Sequence, residues 1–141
     1  TYQTLSCFEG NTEVFFCRVS SGAIFDAFGN PTESYSTPVG DLNTHWKIIS
    51  LNMSGGGSAA GYSTPAVPWS TVISGEGIAI HGAFWHNDFG ERRSHGCINV
   101  KPEDAKWIFR WSTPYISLAQ SEARMTWPEH GTTVTVKEKK A

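Results

Sequence analysis

The chain has no run of about 18 consecutive apolar residues, the length a helix needs to cross a bilayer, so a membrane-spanning helix is excluded. It has no excess of one charge sign. Eleven Lys and Arg stand against thirteen Asp and Glu, a net charge of −2. Nucleic-acid binding ordinarily needs a basic face, and that class is set aside. No internal repeat and no block of like charge occurs. Cysteine is scarce. Cys7, Cys17 and Cys97 make an odd number, so at least one thiol is free unless it pairs with another chain. There is no initiator Met and no signal-like segment, and the chain reads as a processed form or an excised domain. What remains is 141 residues, 39% apolar and with six Trp, enough for one domain over 1–141 with a substantial core.

Short apolar runs at Gln3–Phe8 and Glu13–Val19, parted by Gly10-Asn11, predict paired strands. A two-residue turn there would pair Cys7 with Val14, and Cys7 and Cys17 read as buried small hydrophobes, not a disulfide. Further strands are expected at Ala23–Phe28, Trp46–Leu51, Gly77–His81, Gly96–Val100 and Thr132–Val136. Met53–Gly77 is rich in Gly, Ser and Pro and reads as a long surface loop with a short strand near Val72. Pro102 fits the first turn of a helix, and Glu103 and Asp104 suit its N-terminal dipole. Ala105, Ile108 and Phe109 give that helix an apolar face ending before Pro114.

The chemistry concentrates in Ile80–Val100, IHGAFWHNDFGERRSHGCINV. Cys97 sits in a Gly-containing turn, with His95 two positions before it and His81 sixteen before it. A thiol attacks as thiolate, and a neighbouring imidazole can take its proton. Gly96 lets the backbone turn tightly, bringing amides to one point where an oxyanion could be held. His81 comes as its strand leaves the sheet, where side chains reach solvent, while His95 and Cys97, two apart, would face the same side of a strand, so spacing alone leaves open which His is the base. Asn99, two after Cys97, shares its side of a strand. Arg92 or Arg93 offers a planar fork for a carboxylate. His81, His86, His95 and Cys97 hold ligand types for zinc but lack the paired spacing of a compact site, so no metal or cofactor is expected.

His-Gly, a gap, then Ser-His-Gly-Cys-hydrophobe-Asn resembles the signature of the L,D-transpeptidase catalytic domain (YkuD-type). Tyr35–Asp41, YSTPVGD, is similar to that family's Thr-Pro-x-Gly element, and VKPEDAKWIF to its helix after the active-site strand. The resemblance is strongest over about Tyr2–Pro114. It implies a mainly β fold, a mixed β-sandwich with one or two short helices. It implies Cys97 as nucleophile, His81 as base oriented by the Gly82 carbonyl, and His95 and Gly96 shaping the site. It implies Trp85 as an aromatic of the pocket wall; Arg93 and, in the long loop, Tyr62 are further candidate substrate contacts, and Ser94 and Asn99 are expected to hold the turn or to contact substrate. The implied partners are donor and acceptor peptidoglycan stem peptides, with carbapenem-type β-lactams as inhibitors, on the extracytoplasmic, cell-wall side of a bacterial envelope. An L,D-carboxypeptidase, a Cys-His peptidase of another fold and a non-catalytic wall-binding module are the competing readings.

Overall fold

The computed structural model describes residues 3–23, 25, 28–32, 35–55, 62–92, 94–117, 119–126 and 131–138, the side chains of 51–55 and 62–66 excepted. Its strands are β1 (Thr4–Glu9), β2 (Thr12–Arg18), β3 (Gly40–Asn43), β4 (Trp46–Gly55), β5 (Tyr62–Val72), β6 (Ala79–Gly82), β7 (Ile98–Val100), β8 (Glu122–Arg124) and β9 (Thr133–Val136). One helix, α1 (Pro102–Trp111), follows β7. β1 pairs with β2, and β3 with β9. The main sheet runs β7-β6-β5-β4-β8. All of its pairings are antiparallel except β6–β7, which is parallel. The fold is the mainly β, mixed architecture expected.

A parallel neighbour needs a crossover, and its strands are ordinarily covered on both faces. β6 and β7 obey this: every residue of both is buried. Val19, Ile73, Ile80, Ile98, Val100, Ala105 and Ile108 form the core with Cys7 and Cys17. Burial pushes the Cys7 thiol up to about 11 and the Cys17 thiol up to about 12, so both are inert apolar groups. They remain unpaired.

Helix α1 begins at Pro102 with Glu103 and Asp104 in its first turn and buries Ala105, Ile108 and Phe109, as the pattern required. Trp107 stacks on Phe15 of β2 at 4.2 Å, and Trp111 Nε1 donates to Glu9 at 2.9 Å, tying the helix to the first hairpin. The helix abuts β6 where Gly82 lies: a Cβ there would come within 3.1 Å of Pro102 Cα. At the other end, the fully buried Lys47 of β4 donates to the carbonyls of Phe109 and Ser112, and its ammonium lies 5.3 Å from the Phe109 ring. A cation suits a helix C-terminus, where carbonyls lack partners. Burial pushes the Lys47 amine down to about 8, so at neutral pH most of it is still charged. Lys47→Met keeps much of the volume but leaves those carbonyls unpaired. It should cost about 1–3 kcal/mol per buried acceptor lost. Thermal unfolding reads this as a clear fall in Tm, and an unchanged Tm would show that the helix end finds other donors.

Several expectations are corrected. Cys7 lies opposite Phe15, not Val14, because the register shifts between Cys7 and Phe8. The stretch expected to be a loop after Met53 is largely a hairpin: β4 runs to Gly55, and Tyr62 opens β5 instead of sitting in a loop. Pro65 and Pro68 disguised this strand. β6 pairs only with Thr71 and Val72, so the prolines fall on a stretch of β5 whose second edge β6 leaves unpaired, where a missing N–H is tolerated. The strand expected at Ala23–Phe28 falls partly outside the described residues. Phe25 makes an isolated bridge to Pro31, while Ile24, Asp26 and Ala27 lie outside the described residues.

Candidate active site

The parallel pairing of β6 with β7 sets the site. His81 lies opposite Asn99. His81 and Asn99 therefore leave the sheet on one face, and Cys97, in the bend immediately before β7, stands at the head of the strand next to β6. His81 is 3% exposed, not solvent-reaching as the strand pattern suggested. The added parallel neighbour carries β6 one residue further and encloses the imidazole. His81 Nδ1 donates to the Gly82 carbonyl at 3.0 Å. With the proton held there, Nε2 is left as an acceptor, the state a general base needs. Burial is the main cause that pushes His81 down to about 4, with His86 adding to it and the Gly82 bond opposing. Trp85 lies along the His81 ring at 5.9 Å, and Phe84 packs edge-on against Trp85 at 5.2 Å. Both aromatics are exposed and form a rim beside the imidazole.

Cys97 is partly buried, and its thiol points towards the Gly77 carbonyl at a long 4.0 Å. Burial pushes this thiol up as well, opposed by the Ala79 backbone. Both shifts disfavour charge, so the pair rests at neutral pH as thiol and imidazole, not as an ion pair.

The turn before Cys97 is bonded to itself. Ser94 Oγ donates to the Cys97 carbonyl and accepts from the Gly96 N–H at 3.2 Å. Ser94 is buried and bonds within this turn, the structural role expected of it. The Gly96 amide, expected to face an oxyanion, is engaged by that hydroxyl. Gly96 has φ +128°, a conformation that L side chains rarely adopt. His95 is exposed, and its ring meets Tyr35 edge-on at 4.5 Å. The segment from His95 to Cys97 is a bend, so the expectation that His95 and Cys97 share a strand face does not hold.

Other groups hold the turn from outside. Thr37 Oγ1 donates to the Gly96 carbonyl at 2.7 Å and accepts from the Gly22 N–H at 3.1 Å. Arg92 Nε donates to the Gly22 carbonyl at 2.6 Å, and Nη2 reaches Ser36 at 3.3 Å. Gly22 bridges to Ser94, and Ser20 to Asn99. A Cβ at Gly22 would fall 1.6 Å from the Tyr35 carbonyl oxygen. In the sequence Ser20 and Gly22 mark only a turn, and Thr37 only its place in the Thr-Pro-x-Gly element; their hold on the active-site turn comes from the fold. Arg93 and the Tyr62 side chain lie outside what is described. Among the described residues, no group of three or more His, Cys, Asp and Glu is placed to hold a metal ion.

A backbone-anchored imidazole on β6 and a thiol at the head of the adjoining parallel β7 are the components of a cysteine–histidine site. The L,D-transpeptidase catalytic domain family (YkuD) matches residues 1–136, and the chain belongs to it. The match continues past Pro114 through β9. The chain is 29% identical over 117 residues to L,D-transpeptidase 2 of Mycobacterium tuberculosis (strain CDC 1551 / Oshkosh), covering 76% of this chain and 28% of that protein. An L,D-transpeptidase from Mycobacterium smegmatis superposes with TM-score 0.72 at 20% identity, over 97% of this chain and 55% of that one. L,D-transpeptidase 3 of M. tuberculosis, in complex with a faropenem-derived adduct, gives TM-score 0.57 at 27% identity, over 75% and 43%. The chain thus spans little more than a quarter of the curated relative and about half of these solved chains.

Proposed function

We propose that this chain is a single peptidoglycan L,D-transpeptidase domain that works through a Cys97 thioester. The observation that supports the reading is Cys97 at the head of β7, whose parallel partner β6 carries His81 with Nδ1 anchored on Gly82 so that Nε2 can accept a proton. Cys97 Sγ–H gives its proton to His81 as sulfur attacks the carbonyl of the third residue of a tetrapeptide stem. The tetrahedral intermediate collapses, the bond to the terminal D-alanine breaks, and His81 returns the proton to the leaving amine. The side-chain amine of a second stem then attacks the thioester. A 3→3 cross-link forms, and the thiol is restored. Water in place of that amine would trim the stem using the same residues. The Phe84–Trp85 rim offers apolar contact to the donor stem. The family's work on the cell wall supports an extracytoplasmic place of action. Among the described residues no helix is long and apolar enough to cross a membrane.

A carbapenem should acylate Cys97 alone, because a strained lactam mimics the acyl donor. Intact mass should rise by one adduct, and peptide mapping should place it on Gly96–Val100. An adduct at Cys7 or Cys17, or none, contradicts the reading.

A further inference from the structure

We infer that His86 is a positioning residue of this active site, fixing the side-chain amide of Asn99 beside the His81–Cys97 pair. The inference rests on the function proposed above and assigns a residue that neither the signature motif nor the proposed chemistry uses.

Asn99 is 4% exposed and lies directly opposite His81 in the β6–β7 ladder. Its backbone is held on the other side by Ser20, whose N–H donates to the Asn99 carbonyl at 2.8 Å while the Asn99 N–H donates back at 2.8 Å. The backbone pairing fixes the face of the strand from which this side chain leaves. One end of its amide lies 3.2 Å from His86 Nε2. The other end is buried and has no hydrogen-bond partner. Buried polar groups are nearly always paired, and exceptions cluster at functional sites.

The tautomer of His86 decides which end is which. The Asp88 N–H donates to His86 Nδ1 at 3.0 Å, so Nδ1 is an acceptor. A neutral imidazole with an accepting Nδ1 carries its proton on Nε2. That N–H faces the Asn99 amide, which must offer its oxygen in return. Nitrogen and oxygen of an amide are distinguished only by such a network. The end without a partner is therefore the NH₂. It belongs to a side chain on the same face as His81 and two residues beyond Cys97, and it is a donor kept out of water. The Gly96 N–H, the obvious donor for a developing oxyanion, is already engaged by Ser94. Asn99 is thus placed to supply a second donor as negative charge moves from sulfur to the carbonyl oxygen, provided His86 holds its amide oxygen away. The ring of His86 is itself seated, 5.0 Å from Phe89 and 6.3 Å from Trp85.

The test combines a structural and a kinetic readout on the intact chain. Long-range ¹H–¹⁵N spectra should show His86 as the Nε2–H tautomer, and His86→Ala should shift the Asn99 side-chain NH₂ signals. Finding the Nδ1–H tautomer would overturn the inference. In carbapenem acylation, His86→Ala should be slowed at least about 10-fold, with His86→Gln, which keeps an N–H near the Nε2 position, recovering most of the rate. In an Asn99→Ala background, His86→Ala should change the rate less than about 2-fold, because residues that act through one another are not additive. Fully additive losses, or wild-type rates in His86→Ala, would overturn it. If the unaltered protein takes up no carbapenem while the tautomer and the Asn99 shift are as stated, the positioning stands and the proposed acyl transfer fails.

Discussion

Cys97→Ala is expected to abolish processing of purified muropeptides while leaving the melting curve in place. The thioester route has no substitute nucleophile. Cys7 and Cys17 lie in the core, and burial pushes their thiols to about 11 and about 12, where almost none of either is thiolate at neutral pH. The side chain of Cys97 is partly buried at the end of a strand, and the turn beside it is fastened by Ser94, Thr37 and the Gly96 backbone, none of which needs the thiol. The fold should therefore survive the loss of one sulfur. Mass spectra of the muropeptides before and after incubation check this. Retention of more than a few per cent of activity with an unchanged Tm would remove Cys97 from the mechanism.

His81→Ala should slow acylation by about 10²–10⁴-fold, the usual worth of a positioned general base. It should also erase the acid limb of the pH profile. Burial holds His81 at about 4, well below the ordinary imidazole value, and pushes the Cys97 thiol up. A base must be unprotonated, so the rate of the unaltered protein should climb as pH rises through about 4. It should then stay level through neutrality, where the imidazole is free and the thiol still carries its proton. The alkylation of Cys97 by iodoacetamide, which needs thiolate itself, should instead rise only in the alkaline range. The rate of acylation against pH for the unaltered protein, His81→Ala and His95→Ala separates the two imidazoles. If His95→Ala removes the acid limb and His81→Ala does not, the roles are exchanged.

What could be read from sequence was chemistry carried by neighbours in the chain. Ile80–Val100 brings the thiol, the imidazoles of His81, His86 and His95, and the turn glycine together within 21 residues. Helix α1 was legible because Pro102, the first-turn acids and the 105/108/109 spacing agree. The partners that hold the site come from afar. Thr37 reaches Gly96 across 59 positions, and Arg92 reaches Gly22 across 70. No local pattern encodes such contacts. His81 was misplaced for the same reason, since its burial depends on a parallel neighbour that local sequence does not reveal. β9 was legible, since Thr133–Val136 alternates Thr and Val with the Val side chains half-buried, whereas its partner β3, Gly-Asp-Leu-Asn, carries no such alternation. The later half of the β4–β5 hairpin was hidden by glycine, serine and proline, which read as loop but are tolerated on a stretch that β6 leaves unpaired.

The central claim is that this chain moves an acyl group from one peptidoglycan stem to another through Cys97. The most direct measurement is mass spectrometry of purified disaccharide tetrapeptides incubated with the unaltered protein. The account predicts loss of one D-alanine from the donor stem and a new dimer joined 3→3. Unchanged tetrapeptides, with the protein folded and Cys97 in its reduced form, would contradict it.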